Sequence, residues 1–322
     1  MPAPGFWSRH VFVLLSSDAA YRGVHGEMVA RLRKEGFAPV AARAIDADPE
    51  LIDDLYADLI AGQWQTWRYR LVDAVLALGP AVALICRYEG DEQEEDVHGL
   101  LARRKGYQHP EQAQHGTLRR DFGAINSIVG LMHSSDGPVE SEREAAVFGL
   151  TEQDAIADPD RAAEEIDYLC RLITPHTPEH RDFEQVLASV RTRALAALWE
   201  QLPDTARRGI RTAFPGAGGL GVIGAGERLA ALLEGHAPAA LLATLRCEFE
   251  HGSAYGAADG GTDGGADDGT DDGMNGGAQG MRIGTAEAAL RVHGVALDAW
   301  ERVVLESSLH FPPLRASRQV AG

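Results

Sequence analysis

The sequence predicts an α+β protein in two parts: a split-βαβ sheet sandwich over residues 1–150, then a mostly α-helical domain over residues 151–322. Three observations predict it. Short Val- and Leu-rich runs alternate with stretches of helical apolar spacing as far as Leu150. Beyond Leu150 strand-like runs become few and 3.6-residue periodicity takes over. Residues 256–280, "GAADGGTDGGADDGTDDGMNGGAQG", interrupt that helical part with a low-complexity Gly/Asp segment that has almost nothing to bury.

The elements follow in order. "RHVFVLLSS", 9–17, reads as a buried strand. In the next stretch Val24, Met28, Val29 and Leu32 recur at helical spacing, and Gly36 stops the helix. "APVAARAI" is a second strand. "DPELIDDLYADLIAGQWQTWRYRLVDAVLAL" reads as two helices broken near Gly62, the first started by Asp48 and Pro49. "PAVALICRY", 80–88, is a third strand, and "DEQEEDVHGLLARRKG" is a helix whose acidic start suits the macrodipole. A loop from Tyr107 to Gly116 leads to a strand ending at His133, then a helix near Val139–Val147. Later helices are expected in "DRAAEEIDYLCRLI", "DFEQVLASVRTRALAALWEQL", "GERLAALLEG", "PAALLATLRCEF" and about 284–308.

Composition excludes several classes of function. The 322 residues are 45% apolar and 24% charged, ordinary for a globular chain long enough for one large or two ordinary domains. A formal net charge of -18 argues against nucleic acid and against an anionic membrane as partners, since both need a basic surface. A local arginine cluster can still hold a nucleotide. Basic residues are almost all arginine; the only lysines are Lys34 and Lys105. Cys86, Cys170 and Cys247 are far apart and have no metal or redox spacing, which predicts reduced core thiols and a cytoplasmic setting. The N-terminus lacks the pattern of a secretory signal. No apolar run approaches the roughly 18 residues of a membrane span.

The motifs differ in specificity. "FPGAGGLGVIGAG", 214–226, contains G-x-G-x-x-G, but no strand precedes it, so a glycine-rich interhelical turn is expected rather than a dinucleotide site. The histidines show no metal-site spacing, and no protein-held metal site is expected. In "QWQTWRYR", 63–70, Trp64 and Trp67 are three apart with Arg68 and Arg70 beside them; they serve either core packing or as a lid stacking on a base. His133 closes an apolar run ahead of a polar turn, "MHSSDGPVESEREAAVF". A neutral imidazole is a nucleophile at pH 7 without a separate base. An acid on its other nitrogen would fix the tautomer, and Glu144 is placed to supply it.

Read together, three ordered stretches resemble the nucleoside diphosphate kinase family over roughly residues 9–150. Its D-x-x-x-R-G is here Asp18 to Arg22-Gly23. Its P-x6-T-[IL]-R-x-D-F is here Pro110 to Thr117-Leu118-Arg119-Arg120-Asp121-Phe122. Its H-x-S-D is here His133, Ser135 and Asp136, and its V-E-S-x-x-x-E is matched by Val139-Glu140-Ser141 and Glu144 with two residues rather than three between Ser141 and Glu144. The resemblance implies a ferredoxin-like βαββαβ sandwich. It implies phosphoryl transfer from ATP or another nucleoside triphosphate through a phosphohistidine at His133, with Mg2+ bound through the nucleotide phosphates. Glu144 and Ser135 would orient the ring. Arg119 would stabilise the migrating phosphoryl, and Tyr56 matches the family's active-site tyrosine. The partners implied are a nucleotide, a small-molecule acceptor and further copies of the chain in a homo-oligomer.

The departures are as specific. The family's K-P-D is Ser16-Ser17-Asp18, so its phosphate-binding lysine is missing. Its arginine over the nucleotide falls at Ala102, and a one-residue shift would give that role to Arg103. Its threonine falls at Gln108. Its sugar-binding asparagine falls at Gly130, with Asn126 a displaced candidate, and the base-stacking aromatic lies within Trp64–Tyr69, where Trp67 is the candidate. The sequence therefore supports a kinase-like transferase, with an enzyme acting on a non-standard acceptor, or a catalytically weak nucleotide-binding or scaffolding module, as the alternatives.

Overall fold

The computed structural model describes residues 5–46, 48–57, 70–90, 96–108, 112–175, 182–248 and 281–311. Trp64, Trp67, Gly62, Pro110 and the segment 256–280 lie outside the described residues. The chain divides into two compact units, Met1–Arg181 and Asp182–Gly322.

In the first unit β1 (His10–Leu15) is followed by α1 (Ser17–Tyr21), α2 (His25–Lys34) and β2 (Phe37–Ile45). Then come α3 (Pro49–Leu55), α4 (Leu71–Leu76), β3 (Ala81–Tyr88), α5 (Val97–Lys105), α6 (Leu118–Asp121), β4 (Met132–Ser134), α7 (Pro138–Val147) and α8 (Pro159–Ile173). The four strands form one antiparallel sheet in the order β2-β3-β1-β4. This is the ferredoxin-like order, with α3 and α4 between the second and third strands. After His10, β1 is apolar because both its faces are covered. Val11, Val13 and Leu15 join a core with α2, α5 and α8, while Phe12 and Leu14 join one with α3 and α7. Pro39, which has no N–H, sits at the register shift between β2 and β3.

Capping residues set the helix starts. Asp48 accepts from the Leu51 amide at 2.9 Å with Pro49 in the first turn of α3, and Asp96 accepts from Gly99 at 2.7 Å to open α5. Gly36, at φ 86°, ends the α2 turn as expected.

The expected boundary at residue 150 falls inside the first unit. α8 packs on β2 and α2, and its Ile166 and Cys170 are buried in the core that holds Val13 and Leu84. Helical periodicity marked α8 correctly but could not say which core its apolar face joins.

The second unit is helical among its described residues: α9 (Phe183–Leu198), α10 (Asp204–Ala213), α11 (Ala225–Leu233), α12 (Ala239–Arg246), α13 (Thr285–Val292) and α14 (Ala299–His310). The single helix expected over about 284–308 is two. Gly294, at φ 76°, turns the chain, and Asp298 and Glu301 form a reciprocal capping box that starts α14. The glycine-rich stretch 214–226 is an interhelical turn. Gly224 caps α11 at φ 80°, and its amide donates to Glu248 at 2.5 Å. The amide of Gly226 donates to the same carboxylate. The fully buried Arg191 completes the knot, donating to Glu248 at 2.8 Å and to the carbonyls of Leu220, Leu245 and Cys247. All three cysteines are buried and free.

Candidate active site

The strand ending at His133 is shorter than expected, and His133 is its middle residue. The preceding apolar run cannot continue the strand, because Leu131 lies in the left-handed region at φ 69°. That conformation costs a non-glycine residue about 1–2 kcal/mol, and local contacts hold it. The Ser16 amide donates to the Leu131 carbonyl at 3.0 Å, and the Leu131 amide donates to Asp18 Oδ2 at 3.1 Å. Asp18 is fully buried, which raises its carboxyl, against the hydroxyl of Ser16 and the charge of Arg22. Arg22 donates to the carbonyls of Gly123 at 2.9 Å and Phe122 at 3.3 Å. The D-x-x-x-R-G pattern thus shapes the loops that present β4.

β4 pairs with β1 through His133 opposite Leu14. Where the ladder ends, the Ser135 amide donates to the Phe12 carbonyl at 3.1 Å and the Phe12 amide donates to Ser141 Oγ at 3.1 Å. Ser141 also lies 3.0 Å from His98 Nε2. This stitching sets α7 behind the strand and aims Glu144 at the histidine.

His133 Nε2 lies 2.7 Å from Glu144 Oε2. A carboxylate only accepts, so the neutral ring donates from Nε2 and keeps a free lone pair on Nδ1. The Ser135 hydroxyl donates to the same Oε2 at 2.5 Å. Arg143 reaches Glu144 Oε1 at 3.4 Å and also the carbonyls of Asp54 and Leu55, at 3.4 and 3.3 Å. Burial pushes the Glu144 carboxyl up, but His133, Ser135 and Arg143 outweigh it and hold the carboxyl below its usual range. Tyr56, just past α3, stands edge-on to His133 with ring centroids 5.9 Å apart. Burial, then the Glu144 charge, pushes its phenol up to about 12, so it is a neutral donor at any ordinary pH.

Arg119 comes from α6. Its guanidinium donates to the Met132 carbonyl at 2.8 Å and to Gly106 at 3.3 Å, while Nε is buried without a hydrogen-bond partner. Burial lowers its pKa to about 10, leaving it cationic at neutral pH.

The structure therefore brings His133, Ser135, Glu144, Tyr56 and Arg119 together. Arg103 is exposed on α5, and its neighbour Arg104 pairs with Glu35 at 3.1 Å. Asn126 uses its side-chain oxygen to accept from Ile128 and Val129, at 2.9 and 2.8 Å, as a loop brace. Ser16 donates its hydroxyl to Asp18. Sequence reasoning missed Lys105, whose Nζ donates to Ser134 Oγ at 2.9 Å beside the histidine. A signal was present: Lys105 follows the fully buried Val97 and Leu101 at four-residue spacing, which puts it on the inner face of α5.

His133 thus sits on the outer strand of a ferredoxin-like sheet, bonded to the Glu144 carboxylate, with Arg119 at the strand edge. The profile of the family described as "Nucleoside diphosphate kinase" matches residues 9–153. The nucleoside diphosphate kinase of Symbiobacterium thermophilum is 30% identical over 151 residues, 47% of this chain and 93% of that protein. That of Listeria monocytogenes is 31% identical over 137 residues, 42% of this chain and 86% of that protein. Among solved structures, the nucleoside-diphosphate kinase of Borrelia burgdorferi is similar at 19% identity and a TM-score of 0.41, covering 47% of this chain and 91% of that one. The chain belongs, through its N-terminal unit, to the nucleoside diphosphate kinase family.

Proposed function

We propose that the N-terminal unit transfers a phosphoryl group from a nucleoside triphosphate to an acceptor through a phosphohistidine on His133. Family membership supports a nucleotide-binding phosphotransferase at the general level. The observation that carries the finer reading is the 2.7 Å bond between His133 Nε2 and Glu144, with Ser135 on the same oxygen.

In the first half-reaction the Nδ1 lone pair attacks the terminal phosphorus. An N–P bond forms, the bond from phosphorus to the bridging oxygen breaks, and the electron pair leaves with the diphosphate. The ring gains positive charge, which Glu144 stabilises through Nε2–H. The second half-reaction reverses these steps onto the acceptor. Such chemistry is mostly positioning and charge neutralisation. Arg119, with Arg103 from α5, supplies cations, Tyr56 donates from its neutral hydroxyl, and Trp67 is the proposed base-stacking residue. Among the described residues no three His, Cys, Asp or Glu side chains converge as a metal cage. Magnesium bound to the nucleotide phosphates would neutralise part of their charge.

Gly130 offers no side-chain amide, and Asn126 Oδ1 is spent on its loop, which favours as a second reading an acceptor other than an ordinary nucleoside diphosphate. The test is incubation with γ-labelled ATP and assay for acid-labile, alkali-stable label. The parent protein labels and His133→Ala does not; equal labelling of the two overturns the assignment.

A further inference from the structure

β4 is an outer strand, hydrogen-bonded only to β1. Its other edge carries backbone carbonyls that need partners, and two cations close it. Arg119 Nη2 donates to the Met132 carbonyl at 2.8 Å. Lys105 Nζ donates to Ser134 Oγ at 2.9 Å and lies 3.5 Å from the Ser134 carbonyl. Met132 and Ser134 are the chain neighbours of His133, so one cation stands on each side of the histidine. An ammonium has three donors, and Ser134 takes at most two.

This lysine sits at an unfavourable place for a charge. Burial, then the nearby Arg119 guanidinium, pushes it down to about 7, against the opposing pull of Asp136 in the turn after β4 and Glu144 on α7. A buried ammonium beside a guanidinium is relieved by an incoming anion, which neutralises both. We propose that Lys105, held by Ser134, contacts the phosphates of the nucleotide that phosphorylates His133, supplying with Arg119 the positive charge that the hydroxyl of Ser16 does not. The proposal rests on the nucleotide site proposed beside His133.

The test uses the full chain and titrates ATP, ADP and adenosine into the parent, Lys105→Met, Lys105→Arg and Ser134→Ala proteins. Lys105→Met should weaken ATP and ADP binding by roughly tenfold or more, the effect of one charge-assisted contact. Adenosine affinity should stay the same, Lys105→Arg should recover most of the loss, and Ser134→Ala should move the same way by less. ATP affinity unchanged in Lys105→Met overturns the proposal, as does an equal loss for all three ligands that Lys105→Arg does not rescue. If Lys105→Met fails to fold, unchanged ATP affinity in Ser134→Ala overturns it instead. Phosphohistidine assayed on the same samples separates the two readings. A parent that binds ATP but gains no label at His133 defeats the histidine chemistry and leaves the Lys105 contact standing. A parent that labels, with Lys105→Met binding ATP equally well, defeats Lys105 alone. A parent that binds no ATP defeats both.

Discussion

Glu144 Oε2 serves two donors, the His133 ring and the Ser135 hydroxyl. The arrangement orients the imidazole and answers the charge it acquires, and only the second task needs a full negative charge. Glu144→Gln can keep a hydrogen bond to the ring and removes the charge. Labelling of His133 should then slow by roughly 10–100-fold, in line with the loss of one charged stabilising contact, while ATP affinity stays near the parent's. An unchanged rate would mean that Glu144 only positions the ring. Lys105 gives a second residue-scale expectation. Its folded pKa, about 7, lies below the ordinary lysine value of 10.5. Between those values the unfolded chain holds a proton that the folded chain does not, so this group's contribution makes stability rise with pH across that window. Below about pH 7 its penalty is complete. Lys105→Met removes the dependence, and urea unfolding at pH 6, 7, 8 and 9 should show a flatter stability profile than the parent's. Identical profiles would contradict the buried, charge-opposed setting of the amine.

At the scale of elements, what the sequence disclosed depended on how local the cause was. Helix starts were legible because the cap and its target are three residues apart, as for Asp48 with Leu51. The His133–Glu144 pair was legible because its 11-residue separation spans one turn and part of one helix. The Lys105–Ser134 pair was not, since the two lie 29 residues apart and nothing local links them. The short strand was misjudged because nothing in the apolar run 128–133 announces the left-handed Leu131; its cause is the distant Asp18. The glycine-rich turn was recognised, but not the reason it needs glycine at its end. A Cβ on Gly226 would meet the Leu245 carbonyl oxygen at 1.9 Å and Arg191 Nη2 at 2.4 Å. Both belong to the buried Arg191–Glu248 knot and have no room to retreat. Gly226→Ala should therefore cost at least about 2 kcal/mol, the scale of breaking a buried ionic network, read as a lower urea midpoint. A loss below roughly 0.5 kcal/mol, typical of a surface change, would show that the knot yields.

At the scale of the molecule, the division of the chain makes a claim about where a self-sufficient kinase-like domain ends. The family profile stops at residue 153, yet the first compact unit runs to Arg181. The difference is α8, whose apolar stripe covers part of one sheet face. Ile166 is 1% exposed and Cys170 is 5% exposed, both in the core with Val13, Leu84 and Met28. Arg33 on α2 reaches Asp167 at 2.8 Å, and His25 Nε2 lies 2.9 Å from the Cys170 carbonyl. Removing the helix exposes side chains that each contribute about 1.5–3 kcal/mol when fully buried, against a domain stability of about 5–15 kcal/mol. A chain cut after residue 150 should thus be markedly less stable than one cut after residue 181. Thermal unfolding of the two truncations checks this, and the shorter should melt at least about 10 °C lower, since 1 kcal/mol moves the midpoint by roughly 2–4 °C at this size. Melting within a few degrees would place the domain boundary back near residue 150 and make α8 an accessory helix. A gap of the expected size, with His133 labelling retained by the longer truncation, would instead make α8 an integral part of the catalytic unit that the family profile does not cover.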